Sequence, residues 1–316
     1  MEQLAIVIPA YKHNYLRNTL DSLVAQTCQD FIVYIGDDCS PYNLKSIVLD
    51  YKKLLNIEYC RFDVNLGGID LVAQWERCIS LTKDENWIWL FSDDDVIGEK
   101  CVELFYNEIN NPNNINDLLH FNIKIIDNNN SIIKSPQLYP KYLSNIDYYK
   151  YKSSGKLDSF VVEFIFSRKI YNIVKGFENF DLAWGSDVAT WVKMSKHNGI
   201  KTISGDYVYW RSSTINITPN KDAKMVLRKL ETDIVFLAWI NKFFKNKSIL
   251  LYNYYVFLRL SVYYSQIIDI HQYHLLLNKA LEYQIISVLY KTILKVFYPT
   301  FPVLRKLKHL IYDYKK

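Results

Sequence analysis

The chain has 316 residues, 50% of them hydrophobic and 22% charged. That is enough apolar material for a sizeable core and too much for wholesale disorder, while nine glycines and eight prolines exclude collagen-like and low-complexity organisation. The formal charge of +5 is unevenly placed: residues 1–220 hold 22 basic and 27 acidic side chains, and residues from Lys221 onward hold 16 and 6.

In chain order, Leu4–Ile8 is a short apolar run stopped by Pro9 and predicts a strand. Asn14 is placed to cap a helix whose Leu16, Leu20, Leu23 and Val24 share one face. Phe31–Ile35 predicts a second strand, ending in Gly36-Asp37-Asp38, and a helix through Leu44, Val48 and Leu55 follows Pro41. Ile57–Phe62 is a third strand; Asn65-Leu66-Gly67-Gly68 then turns into a helix with Val72, Trp75 and Ile79 inward. Trp87–Phe91 is a fourth, closing on Ser92-Asp93-Asp94-Asp95. Strand–helix repeats with hydrophobic strands and short connections imply a parallel sheet covered on both faces, which binds ligands beyond the carboxyl ends of its strands. Tyr11, Asp37 and Asp38, Asn65, and Asp93–Asp95 all follow strand ends.

Residues 111–155 read as a long polar excursion around one strand, His120–Ile126. Phe160–Phe166 is a further strand, Gly176–Gly185 an aromatic loop, Ser186 or Asp187 the start of a helix, and Ile203–Trp210 a last strand. Three long helices follow, Val226–Phe244, Leu250–Ile268 and His274–Phe297, then a short basic segment, Val303–Tyr314. The expected domains are 1–220, with a nucleotide-binding half (1–110) and an acceptor-side half (111–220), and a basic, aromatic-rich helical region, 221–316. Five widely spaced cysteines without metal-ligand spacing suit a reducing cytosol. No apolar stretch reaches spanning length, so membrane contact is expected to be peripheral.

Three consecutive carboxylates at a strand end repel one another unless something neutralises them. Mg²⁺ or Mn²⁺ with ligand phosphates would do so, and a solvated acidic turn reads equally well. Asp37-Asp38 suits a ribose or base contact and is as ordinary in a turn; Tyr11 could stack on a base or pack on the helix. Gly67-Gly68 permits close backbone approach. The stretch Ile8–His13 contains no glycine, which disfavours a dinucleotide fingerprint or P-loop. Asp187 at a helix start would have its charged form favoured by the helix terminus, as a ready base or as a plain first-turn acid.

The segments Leu4–Lys12, Leu20–Thr27, Ile35–Ser40 and Leu90–Val96, in that order and spacing, resemble the family 2 glycosyltransferases of the GT-A fold. The resemblance covers about residues 4–215. It implies an α/β fold with a central mostly parallel sheet flanked by helices, a C-terminal helical region lying beyond the match. It further implies that Pro9, Ala10 and Tyr11 line the nucleotide base pocket, that Asp38 beside Asp37 reads the base, typically uracil, and that Asn65, Gly67 and Gly68 close over the donor. Ser92-Asp93-Asp94 falls on the family's metal-binding segment with Ser92 in place of its usual first acid. Asp94 is then the best metal ligand, Asp93 a ribose or metal contact and Asp95 a helper, with Mn²⁺ or Mg²⁺ as cofactor. Asp187 matches the general base, and Arg211 falls where an arginine often lies near the pyrophosphate.

The activity so implied is inverting transfer of a sugar from a nucleoside diphosphate, a UDP-sugar being favoured, to a glycan or polyprenyl-diphosphate-linked hydroxyl. A nucleotidyltransferase would need an early Gly-rich basic loop, which is missing; the substitution at Ser92 keeps a degenerate binding protein in view. The basic, aromatic C-terminal region is compatible with an anionic lipid surface at the inner membrane face, a helical lid or a homodimer surface. Its interspersed hydrophobes argue against nucleic acid.

Overall fold

The computed structural model describes residues 4–213 and 222–306; Lys221 and residues 307–314 of the basic segment lie outside them. The chain forms two compact units, one of residues 1–179 and 186–213, the other of 180–185 and 214–316.

The larger unit opens with β1 (Leu4–Ala10), α1 (Leu16–Val24), β2 (Ile32–Asp37), α2 (Leu44–Tyr51), β3 (Ile57–Arg61), α3 (Leu71–Ile79) and β4 (Trp87–Leu90). The strands lie in the order β3-β2-β1-β4, all parallel, with Ala5 of β1 opposite both Ile32 and Ile88. Every residue of β1 except Pro9 is buried, as expected of a strand covered on both faces. Parallel strands in close register end together, so the polar clusters after β1, β2 and β4 meet at one edge. α1 departs from expectation at its start: Tyr15 takes the N-cap position and no side chain caps the first turn. Burial of Leu16, Leu20 and Leu23 against the sheet sets the helix register instead of Asn14.

The second half adds β5 (Val96–Ile97), α4 (Cys101–Ile109), β6 (Leu118–Ile126), β7 (Ile132–Lys134), β8 (Tyr142–Leu143), α5 (Asn145–Ser154), β9 (Phe164–Ser167), α6 (Arg168–Val174), α7 (Ser186–Met194) and β10 (Ile200–Arg211). β9 lies between β4 and β6 and runs antiparallel to both, making the sheet mixed while β6 and β10 stay parallel. Trp89 of β4 stacks on Phe121 of β6 at 5.6 Å, and its indole N–H donates to the Val162 carbonyl at 2.7 Å. The strand expected over Phe160–Phe166 starts only at Phe164, because the Glu163 carboxylate folds back to accept the Phe160 N–H at 2.7 Å.

The second unit carries α8 (Ala223–Phe244), α9 (Lys247–Tyr264), α10 (Ile270–Glu282) and α11 (Val288–Phe297). Where one helix was expected over His274–Phe297 there are two. Gln284 takes a left-handed φ of 56°, Ile285 and Ile286 are buried, and Ser287 caps α11 by accepting the Tyr290 N–H. Among the described residues no helix is long and apolar enough to cross a membrane.

Candidate active site

The turns after β1 and β4 are knitted through one carboxylate. Asp93 Oδ2 accepts the backbone N–H of Tyr11 at 2.7 Å and of Lys12 at 2.6 Å. Lys12 then turns its side chain onto the same acids: its ammonium pairs with Asp94 Oδ2 and lies 3.6 Å from Asp93 Oδ1. Burial pushes the Asp93 carboxyl upward while Lys12 pulls it back. Burial works against the Lys12 charge, but Asp93 and then Asp94 outweigh it and hold the ammonium above its ordinary value.

Asp95 faces the other way. Its Oδ1 accepts the Arg211 N–H at 2.6 Å and its Oδ2 accepts the Ser92 hydroxyl at 2.6 Å; burial and then Asp94 push its carboxyl upward. Ser92 Oγ also lies 3.1 Å from Asp94 Oδ1 and accepts the Asp95 N–H at 3.1 Å. The serine at the usual acid position therefore clasps the acidic turn. Arg211 is fully buried. Its guanidinium bonds the carbonyls of Asp94 and Asp127, each at 2.7 Å, and Asn130 Oδ1 at 2.6 Å, and it lies 4.2 Å from the centre of the Tyr15 ring. Through these bonds it braces the acidic turn, at the position where the resemblance implies an arginine near the pyrophosphate.

After β2 the two acids divide. Asp37 is inaccessible, accepting the Ser40 N–H at 2.8 Å, the Tyr59 hydroxyl at 2.5 Å and Arg61 at 2.9 Å. Asp38 accepts the N–H groups of Leu66 at 2.7 Å and Gly67 at 2.8 Å and pairs with Arg77. It thereby ties the loop after β3 to the end of β2. At Gly67 a Cβ would stand 2.7 Å from Asp38 Oδ2, so a side chain there would push the carboxylate off the loop amides. Asn65 Oδ1 accepts the Gly68 N–H at 2.8 Å. Ala10 is buried and Pro9 half-buried, whereas Tyr11 is 40% exposed and keeps its ring free of a packing role in the core. Lys12, Arg61 and Arg77 were not anticipated. Only Lys12 left a trace in the sequence, a cation next to a strand end opposite an acidic run.

Asp187 is the second residue of α7 and half-buried; its Oδ1 accepts the Val188 N–H at 2.8 Å. Burial raises its carboxyl above the ordinary value, with Lys152 opposing. The helix start does favour the charged form through the Val188 N–H, as expected, but desolvation outweighs it. Behind it Glu163 is fully buried, pushed well up by burial, with Asp187 adding to the rise. In the helical unit, the loop just before Asp187 is held by Trp184, whose indole N–H donates to Asp233 at 2.9 Å. Arg228 grips both carboxylate oxygens of Asp181 at 3.0 and 2.6 Å, and Lys229 lies 4.7 Å from the Trp184 ring centre.

Among the described residues no group of three or more His, Cys, Asp or Glu side chains is disposed around a metal position. Both Asp95 oxygens are engaged by the chain. Asp94 Oδ2 and Asp93 Oδ1 face the Lys12 ammonium. Two hard oxygens directed at one cation suit Mg²⁺ or Mn²⁺, which fills most of its shell with phosphate and water.

The family model of glycosyl transferase family 2 matches residues 5–172, more than half of the chain. The chain belongs to this family. Among curated family relatives, it is 29% identical over 119 residues to an uncharacterized glycosyltransferase of Haemophilus influenzae, covering 37% of this chain and 38% of that one. It is 28% identical over 142 residues to one of Rickettsia typhi, covering 44% and 42%. A poly(ribitol-phosphate) beta-N-acetylglucosaminyltransferase, TarS of Staphylococcus aureus, matches at 29% over 107 residues, covering 33% and 18%. The matches thus span less than half of each relative's length. Crystal structures of S. aureus TarS 1–349 share the fold with a TM-score of 0.59 at 13% identity, covering 96% of this chain and 88% of that one. The complex with UDP-GlcNAc gives 0.55 at 15%, covering 94% and 92%. GalNAc-T7 with UDP, GalNAc and Mn²⁺ gives 0.52 at 11%, covering 73% and 47%. The fold of this family 2 member is GT-A.

Proposed function

We propose that the protein is an inverting glycosyltransferase that moves a sugar from a UDP-sugar to the hydroxyl of a glycan or lipid-linked acceptor. The observation that carries the reading is the joining, at one sheet edge, of the turns after β1 and β4 through Asp93 and of the loops after β2 and β3 through Asp38. Relatives of the same fold, crystallised with UDP and UDP-GlcNAc, support the donor class.

Tyr11, exposed beside Ala10, offers a face for the base. Asp38 and Arg77 hold the 65–68 loop in position over the donor, while Ser92, Asp95 and Arg211 hold the acidic turn rigid. A divalent cation, Mn²⁺ or Mg²⁺, would be held by Asp94 with Asp93 and supplies Lewis-acid neutralisation of the departing diphosphate. Asp187 takes the proton of the acceptor hydroxyl as that oxygen attacks the anomeric carbon from the face opposite the leaving group. A carboxyl with a raised pKa is the stronger base once ionised.

The exposed stripe of α11 suits an anionic lipid surface. Val288, Leu289, Ile293, Val296 and Phe297 lie at helical spacing, and residues 283–312 contain five Lys and Arg and no acid. We place the protein peripherally on such a surface.

The test is a calorimetric titration with UDP, with and without Mn²⁺, using GDP and CMP as controls, on the native chain and on Asp187→Asn. Metal-dependent UDP binding retained in Asp187→Asn, with transfer lowered by about 100- to 10,000-fold, is expected. Folded protein that binds none of the three nucleotides would overturn the assignment.

A further inference from the structure

The cation at the acidic turn belongs to the chain itself. Asp94 Oδ2 carries the Lys12 ammonium, Asp93 Oδ1 lies 3.6 Å from it, and the remaining oxygens of this turn are taken by Ser92, the Arg211 N–H and the amides of Tyr11 and Lys12. A second, divalent cation cannot use the two facing oxygens while the ammonium sits between them. It must displace Lys12, and without nucleotide that leaves an ammonium stripped of its partners. A bound diphosphate changes the balance, because its oxygens offer Lys12 a new acceptor. The lysine stem is flexible, and its backbone N–H stays fixed on Asp93, so only the side chain has to move.

From this arrangement we infer that Lys12 is an exchangeable counter-ion that makes divalent-cation binding depend on the nucleotide diphosphate. In the free protein it holds the cation position. With diphosphate bound it transfers to the phosphate oxygens and releases the two carboxylate oxygens. The inference rests on the donor-site reading above and adds to it the residue through which metal and diphosphate are coupled. Arg211 cannot act in the same way: it is fully buried and its donors are held by carbonyls.

Lys12→Met and Lys12→Gln, each checked for a native melting transition, separate the alternatives. Mn²⁺ binding is followed directly, from the electron-spin signal of the free ion, with and without UDP. Both variants are expected to bind Mn²⁺ alone about tenfold more tightly than the native chain, within the ~5–150-fold range of ordinary coupling between sites. In the native chain UDP is expected to tighten Mn²⁺ by at least a similar factor, and in the variants that factor is expected to shrink to what direct phosphate ligation supplies. Linkage requires Mn²⁺ to tighten UDP in the native chain by the same factor. Equal or weaker Mn²⁺ binding in both folded variants overturns the role of Lys12 and leaves the donor site standing. Native protein that binds no UDP under any condition overturns the donor site, and this inference with it.

Discussion

Asp187 is a carboxylate whose surroundings set its working range. Burial raises its pKa and the Lys152 ammonium lowers it. In the proposed role of base it must be ionised, so turnover is expected to fall with decreasing pH at a value above the ordinary carboxylate range. Lys152→Met, which removes the opposing charge, should move that acid limb to still higher pH; a limb that stays in place in the pH–rate profile would show that Asp187 does not set it. The position of Asp187 was readable, since an acid at a helix start after an aromatic loop has few other places to go. Its protonation behaviour was not, because it depends on desolvation in the folded chain and on Lys152, 35 residues away in sequence. The same limit applies to Asp37 and Asp38. Both lie at a strand end, as read, yet their occupation by Tyr59, Arg61, Arg77 and two loop amides depends on contacts across 22 to 39 residues.

Among the elements, the first four strands were legible because each is an apolar run ending in a polar cluster, and the alternation with helices leaves little choice of topology. α5 was missed because Asn145–Ser154 shows little segregation of apolar and polar positions; Ser144 capping and the burial of Tyr148 and Tyr149 make it a helix. The break before α11 was missed because Gln284, not glycine, takes the left-handed position. α11, which follows that break, leaves Val288, Leu289, Ile293, Val296 and Phe297 exposed. Sedimentation with phosphatidylglycerol vesicles is expected to carry the protein down, and phosphatidylcholine vesicles to leave it in solution. Leu289→Ser with Phe297→Ser should abolish the binding. A native chain that binds neither vesicle and sediments as a dimer would instead assign the stripe to a second copy.

The whole molecule is two units with different electrostatic character, and the helical unit stores a titration of its own. Burial pushes Asp233 up to about 7, with the Trp184 N–H and Lys229 opposing, and its second oxygen has no hydrogen-bond partner. The folded pKa lies above the ordinary 3.8, so the folded form binds this proton more tightly than the unfolded chain. The contribution is therefore complete at low pH and is lost as pH rises through about 7. Melting temperature is expected to fall between pH 5 and pH 8 in the native chain, and Asp233→Asn should flatten that slope; an unchanged slope would place the titration elsewhere.

The chain passes between its two units three times, at 179/180, 185/186 and 213/214. Six residues, Phe180–Gly185, are lent to the helical unit, and the chain returns only at Ser186, one residue before Asp187. The units are therefore not separable cassettes. A recombination event, or an engineer, that exchanged the helices at residue 213 alone would leave Phe180 and Trp184 without the α8 side chains that seat them. Inheritance of a new helical unit by this scaffold requires that the loop in front of Asp187 be inherited with it.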